Sequence, residues 1–184
     1  GAADLVTAHD HGVDATLLPF VFDPDAGEHG ALLTHVARNN RQCSDPVIGE
    51  AMVIVRGGDH YVSPRWMPSF AETRQVVPTW NYLTAHVYGE LVAHDEPGWT
   101  EDVVRRLTAV HEAPGAAGGV GGYRVDDVPA EHLARQLRAI VGLELRITRI
   151  EAKAKMSQNK SPVDVAGIVS GLRAEGGGAF AEQT

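Results

Sequence analysis

The hydrophobic pattern of this chain has a period of two residues up to about Asp95 and a helical period for much of the chain after Pro97. Before Asp95, apolar stretches rich in Val, Leu and Thr are separated by turn-forming clusters such as DPDAGEHG, which is typical of antiparallel strands. The stretches are LVTAH, ATLLPFVFD, ALLTHVA and AMVIVRG. A further one, from Thr79 to Asp95, is long enough for one long or bent strand, with Gly89 at a bulge or a barrel corner.

Helical spacing of apolar residues predicts three helices, at about 97–112, 129–141 and 162–173. Ser161–Pro162 supplies an N-cap and a first-turn proline for the last helix. The segment GLELRITRIE alternates as a strand, with a bulge expected at Ile150. A glycine-rich connector spans 113–122, and it lacks the Lys-Ser/Thr ending of a phosphate-binding P-loop. The pattern therefore predicts one domain over 1–175, followed by a disordered tail over 176–184.

Six antiparallel strands with helices added late predict a mainly β fold, a small barrel or sandwich with peripheral helices. The pattern shows no parallel β-α-β alternation, which excludes a Rossmann fold. Of the 184 residues, 43% are apolar, enough to build the core of one compact domain.

Charge and cysteine content exclude several functional classes. With 16 Lys and Arg against 24 Asp and Glu, the net charge of −8 gives no global electrostatic attraction for nucleic acid, although a local basic patch stays possible. Cys43 is the only cysteine, which excludes an intramolecular disulfide and a Cys-rich zinc site and indicates a reducing, cytoplasmic setting. The apolar runs are far shorter than the roughly 18 residues of a membrane span.

Three segments carry more polar and aromatic residues than a core position requires: GGDHYVSPRWMP, VVPTWNYLTAHVYG and KAKMSQNK. In this order, and together with THVARNN and DDVPAEHL, they resemble the PaiB family of FMN-binding regulators. The resemblance covers nearly the whole chain. It implies a six-stranded antiparallel FMN-binding split barrel with peripheral helices, a homodimer, and FMN at the dimer interface. It further implies a negative transcriptional regulator with no catalytic residues of its own, acting on promoter DNA or through a regulatory protein partner.

FMN needs cations and donors for its phosphate and a flat apolar wall for its ring. Within the family-like segments, we predict a cofactor site formed by His35, Arg38, Tyr61, Trp80, Asn81, Ser157, Gln158, Asn159 and Lys160. Arg38 and Lys160 are basic residues flanked by other donors, so we expect them to hold the phosphate. Lys153 and Lys155 alternate on the preceding strand, and one of them is a further candidate for the same site.

Several of these assignments have an alternative. The run 157–160 is equally suited to hold a phosphate or ribityl chain and to cap the following helix. Aromatic residues at alternate strand positions, such as Trp80, belong more often to a core or dimer interface than to a cofactor site. Asn81 lies on the opposite strand face and is expected to bond either the flavin or a neighbouring strand. His9 and His11 are expected to be a surface pair and not a metal site.

Two other functions compete with the regulator. Split barrels also serve FMN-dependent oxidoreductases, in which the flavin carries out the chemistry. The second alternative function is a dimer that has no flavin and binds another small ligand. That alternative rests on two departures from the family pattern, Leu17 where a His is common and Ala154 where a Trp is common.

Overall fold

The computed structural model describes residues 1–113 and 122–182. Seven strands are present in this part of the chain: β1 (Ala2–His9), β2 (Gly12–Pro19), β3 (Val21–Asp23), β4 (Ala31–Ala37), β5 (Ala51–Val62), β6 (Thr79–His94) and β7 (Ile140–Lys155). They form one sheet in the order β2-β1-β5-β6-β7-β4-β3. The fold is mainly β and belongs to the split-barrel class, as predicted.

The structure has seven strands where the sequence predicted six, because the stretch ATLLPFVFD is divided at Pro19–Phe20. Its first part, β2, pairs antiparallel with β1, whereas its second part, β3, pairs antiparallel with β4. Proline has no N–H to donate to a ladder and is found where pairing stops. The two halves consequently lie at opposite ends of the strand order.

The helices are α1 (Arg41–Ser44), α2 (Pro68–Thr73), α3 (Pro97–His111), α4 (Ala130–Leu137), α5 (Pro162–Ala174) and α6 (Gly178–Ala181), with short 3-10 turns at Pro64–Trp66 and Val125–Asp127. The helix expected over 129–141 ends at Leu137, because the β-branched Ile140 and Val141 begin β7 and pair with Ala37 and Val36. Among the described residues, no helix is long and apolar enough to span a membrane.

The chain divides into two compact units. Unit 1 comprises Gly1–Val55 with His86–Ile150, and unit 2 comprises Arg56–Ala85 with the chain from Glu151 onward. The core of unit 1 has two clusters, one centred on Leu5, Val53, Leu143 and Leu145 and one formed where Val103 and Leu107 of α3 cover β4. Unit 2 has its own core, which includes Met67, Met156, Ile168 and Leu172.

The structure describes residues 176–182 of the segment 176–184 that the sequence predicted as a tail. Residues 178–181 form α6, and Phe180 is buried in the core of unit 2. A single large apolar side chain is enough to seat this turn, which the glycine-rich sequence around it does not reveal. Most of the predicted connector, 114–121, and the last two residues, 183–184, lie outside the described residues.

Candidate functional site

The nine predicted site residues fall in both units. His35 and Arg38 lie in unit 1, and the other seven, namely Tyr61, Trp80, Asn81, Ser157, Gln158, Asn159 and Lys160, lie in unit 2. The two groups are therefore described separately.

The guanidinium of Arg38 bonds to three acceptors of its own unit. Nε donates to the carbonyl oxygen of Arg138 at 2.8 Å and Nη2 to that of Ile140 at 3.1 Å. Nη1 pairs with the carboxylate of Asp95 at 2.6 Å. Arg38 thus fastens the end of β4 to the turn between α4 and β7 and to the end of β6. Its phosphate role stays a prediction, since a phosphate would have to share donors already used inside the unit.

His35 lies on a covered face of the sheet. On β4 it shares a face with Ala31 and Leu33, which pack under α3, and it pairs with Gly142, where Trp99 occupies the space that a Cβ would fill. Nδ1 is buried without a described partner, and burial lowers the pKa of the imidazole below its ordinary value. His35 is accordingly neutral near pH 7 and offers a phosphate no charge.

In unit 2, the side chain of Asn81 is hydrogen-bonded to the turn that follows β7. It is fully buried, and its Oδ1 accepts a hydrogen bond of 2.8 Å from the hydroxyl of Ser157, just past the end of β7. Ser157 has φ of 62°, a left-handed conformation that is uncommon for a residue with a Cβ. The Nδ2 group of Asn81 has no partner among the described residues. Of the two predicted roles for Asn81, the structure shows the bond within the protein.

The turn after β7 uses some of its own donors. The Gln158 Oε1 accepts from the backbone N–H of Met156 at 2.8 Å, and its Nε2 donates to the carbonyl of Ala154 at 2.7 Å. Ser161 is the N-cap of α5, with Oγ accepting from the N–H of Asp164. Gln158 therefore closes the turn, and the cap belongs to Ser161 rather than to residues 157–160.

Aromatic and cationic side chains gather on one face of three neighbouring strands, β5, β6 and β7. The rings of Tyr61 and Trp80 meet edge to face at 6.2 Å, and they remain 41% and 52% exposed. The ammonium groups of Lys153 and Lys155 lie 5.6 and 5.9 Å from the centre of the Tyr82 ring. We call these five residues the lysine–aromatic surface.

Hydrogen bonds to β6 hold the ammonium group of Lys155 in place. Its Nζ donates to the carbonyl oxygen of Trp80 at 2.9 Å and to the hydroxyl of Thr79. These acceptors are uncharged, and among the described residues neither Lys155 nor Lys153 has a carboxylate partner. The positive charge of both groups is thus not neutralised within the described protein, and each ammonium has three N–H donors.

The nine predicted site residues do not include Lys153, Lys155 or Tyr82, although the sequence carries a signal for the two lysines. All three lysines of the chain lie between residues 153 and 160, and every other cation is an arginine. Lys153 and Lys155 alternate on a strand and so project from one face. Concentration of one cation type in eight residues of an otherwise acidic chain marks a local positive patch.

The lysine–aromatic surface has the chemistry that FMN requires. Two ammonium groups suit a phosphate dianion, and the exposed indole of Trp80 and phenol ring of Tyr61 suit a flat tricyclic ring. Asn81 lies on the other face of β6 and is not part of this surface. The residues of the lysine–aromatic surface therefore fit the cofactor, but they are not the same residues as the predicted set.

His9 and Cys43 lie outside the predicted cofactor site. His9 is buried, unlike the surface residue expected, with its ring bonded to Thr7 Oγ1 and to the carbonyl of Pro46 and stacked on His11. Among the described residues, no cluster of His, Cys, Asp and Glu could hold a metal ion. Cys43 is half-buried, and burial raises the pKa of its thiol above the ordinary value.

Comparison with known proteins gives a family and a fold. The family described as "Putative FMN-binding domain" matches residues 1–149. The chain is 35% identical over 106 residues to the uncharacterized protein YKL070W of Saccharomyces cerevisiae, a match of 56% of this chain and 62% of that protein. The matched region is thus less than two thirds of the yeast relative.

Two other similarities span more of the chain. The protease synthase and sporulation protein PAI 2 of Bacillus subtilis is 26% identical over 162 residues, covering 88% of this chain and 73% of that protein. The flavocytochrome Anf3 of Azotobacter vinelandii superposes with a TM-score of 0.61 at 14% identity, covering 90% of this chain and 67% of that one. The structural match shows a shared fold.

Proposed function

Because the chain belongs to the family of FMN-binding domains and FMN is its cofactor, we propose that it is a cytoplasmic FMN-binding homodimer that represses transcription. The observation that carries the flavin part of this proposal is the lysine–aromatic surface of unit 2. The similarity to PAI 2, whose name links it to protease synthesis and sporulation, supports the regulatory part.

In this proposal the protein binds and orients the cofactor. Lys153 and Lys155 neutralise the phosphate, and the exposed rings of Trp80 and Tyr61 exclude water from one side of the flavin. When bound, the flavin supplies reversible one- and two-electron redox chemistry. The exposed rings also supply apolar area for a second copy of the chain, which supports the proposed homodimer.

The net charge of the chain limits its sequence-independent affinity for DNA. At −8 the chain as a whole is repelled by phosphates, so we expect weak sequence-independent binding to duplex DNA at physiological salt. Repression would then depend on specific promoter contacts by a local basic patch or on a regulatory protein partner.

The first experiment tests the flavin site by fluorescence titration with FMN and with riboflavin, which lacks the phosphate. We expect the double variant Lys153→Met, Lys155→Met to bind FMN at least about tenfold more weakly, since charge-assisted hydrogen bonds are lost, and to bind riboflavin almost as before. Arg173→Met, which removes an exposed cation from α5 of the same unit, is the matched control. Equal losses for both ligands would remove the lysines from the phosphate site.

The second experiment separates the regulator from the oxidoreductase. FMN-loaded protein is used to select fragments from sheared genomic DNA of the source organism, alone and with cell extract, and is separately mixed with NADH and NADPH. Enrichment of defined promoter fragments without nicotinamide oxidation is expected. Sustained oxidation with no enriched fragment would replace the regulator by the oxidoreductase. Light scattering of the same sample should give about twice the 19.7 kDa chain mass, and a monomer would contradict the proposed dimer.

A further inference from the structure

Unit 2 contains a second cationic feature, a cavity formed entirely by one short segment. Its volume is about 340 Å³, and it is lined by Arg65, Met67, Phe70, Ala71 and Arg74. The segment comprises the 3-10 turn and α2, and none of these residues belongs to the lysine–aromatic surface. We infer that this cavity binds a small aromatic carboxylate, independently of the flavin.

The lining has two chemically distinct parts. Met67 is 2% exposed and, with the half-buried Phe70 ring, gives an apolar floor. Arg65 and Arg74 are exposed, and neither has an ion-pair partner among the described residues. A volume near the small end of the range for ligand sites suits a body of one or two rings. The guanidinium fork matches a carboxylate in two parallel hydrogen bonds.

Arg74 is held in place by its own segment. Its guanidinium carbon lies over the Phe70 ring, 4.9 Å from the ring centre, in a cation–π contact. The residue ends α2 in a left-handed conformation, with φ of 57°, and its N–H bonds to the carbonyl of Phe70. Few arginines adopt this conformation.

The walls of the cavity are fixed from below by α5. The ring of Trp66, next to Arg65, packs where a Cβ at Gly171 would lie, and its carbonyl packs against Gly167. The Asp164 carboxylate accepts the N–H of Ser69 at 3.1 Å, which lowers the pKa of that carboxyl below its ordinary value and fixes the start of α2. The two arginines therefore rise from a rigid base, which reduces the entropic cost of binding.

The test uses the fluorescent probe 1-naphthoate with the full chain, with and without FMN, and its neutral analogue 1-naphthylmethanol. We expect saturable binding of 1-naphthoate, at least about tenfold weaker binding of the alcohol, and no displacement of the probe by FMN. Binding to the FMN-free protein means that this result does not depend on the proposed function. Equal affinity for acid and alcohol would overturn the inference, and displacement by FMN would assign the cavity to the flavin.

Two variants locate the site. Arg65→Gln and Arg74→Asn should each weaken 1-naphthoate binding at least about tenfold, and asparagine is chosen at 74 because it tolerates the left-handed backbone. Arg173→Gln, an exposed arginine on α5 outside the cavity, should bind like wild type. If Arg74→Asn unfolds by circular dichroism, Arg65→Gln alone decides. Unchanged binding by the folded variants would exclude this cavity.

Discussion

Three arginines of unit 1 and three cations of unit 2 differ in the groups that they contact. In unit 1, Arg38 pairs with Asp95, Arg105 with Glu101 and Asp126, and Arg106 with Asp23. In unit 2, the described contacts of Lys153, Lys155 and Arg74 are aromatic rings and uncharged oxygens. A cation neutralised by its own fold stabilises that fold, whereas one left without a carboxylate stays available to an external anion. This difference supports the proposal that anions bind in unit 2.

The same type of contact, a tryptophan ring packed against a glycine, occurs in both units. Trp99 packs against Gly142 in unit 1, and Trp66 packs against Gly171 in unit 2; in both, an added Cβ would collide with the indole ring. Each tryptophan seats a segment on a neighbouring element, α3 on β7 in the first and the 3-10 turn on α5 in the second. The same contact serves the fold in one unit and supports a cavity in the other.

The largest loss of stability is expected when a methyl group is added at Gly142 or Gly171, where an indole ring occupies the Cβ position. Gly142→Ala and Gly171→Ala should each lower the free energy of unfolding by about 2–3 kcal/mol, because the indole must move out of a packed position. Urea denaturation measures the loss. Only Gly171→Ala should also weaken 1-naphthoate binding.

The control for this pair is Gly98→Ala near the start of α3, where a Cβ would meet nothing within 4 Å. It should be neutral or stabilise by a few tenths of a kcal/mol, up to about 1 kcal/mol, from helix propensity. A comparable destabilisation in the control would show that the indole contacts are not the cause.

A smaller effect is expected at Arg38. Arg38→Ala should cost about 1–2 kcal/mol of stability, since two hydrogen bonds to backbone carbonyls are lost, and should leave the ratio of FMN to riboflavin affinity unchanged. Arg41→Ala, which breaks an exposed pair with Asp45, should change stability by less than about 0.5 kcal/mol. A selective loss of FMN affinity in Arg38→Ala would instead support the phosphate role that the sequence predicts and would remove the contrast between the units.

The smallest effect concerns pH. The pKa of His35 is lowered in the folded state by burial, so the unfolded chain binds more protons between that pKa and the ordinary value of 6.5. Stability should therefore fall as pH decreases below about 6.5 and level off below the folded pKa. His35→Gln should flatten this slope in urea denaturation from about pH 7.5 to 5. An unchanged slope in His35→Gln would contradict a buried neutral imidazole.

Local periodicity in the sequence determined most of the elements. Alternating apolar residues marked the strands, and apolar residues three or four positions apart after Pro97 marked α3. Side-chain direction repeats every two residues in a strand and every 3.6 residues in a helix. Family-like segments also pointed to FMN, and the cluster of three lysines was legible in the residues alone. These signals lie within a few residues of one another, so no tertiary information is needed to read them.

Only the tertiary structure decided what the candidate residues contact. Arg38 bonds to carbonyls 100 and 102 residues away, and His35 lies on the face that α3 covers. The stretch through Pro19 divides because its halves pair with different strands, β1 and β4. Pairing partners and close approaches arise between segments far apart in the chain, and a local pattern carries no record of them. The sequence thus determined the elements and pointed to FMN, and the packing decided which of the compared cations are paired with a carboxylate within the protein.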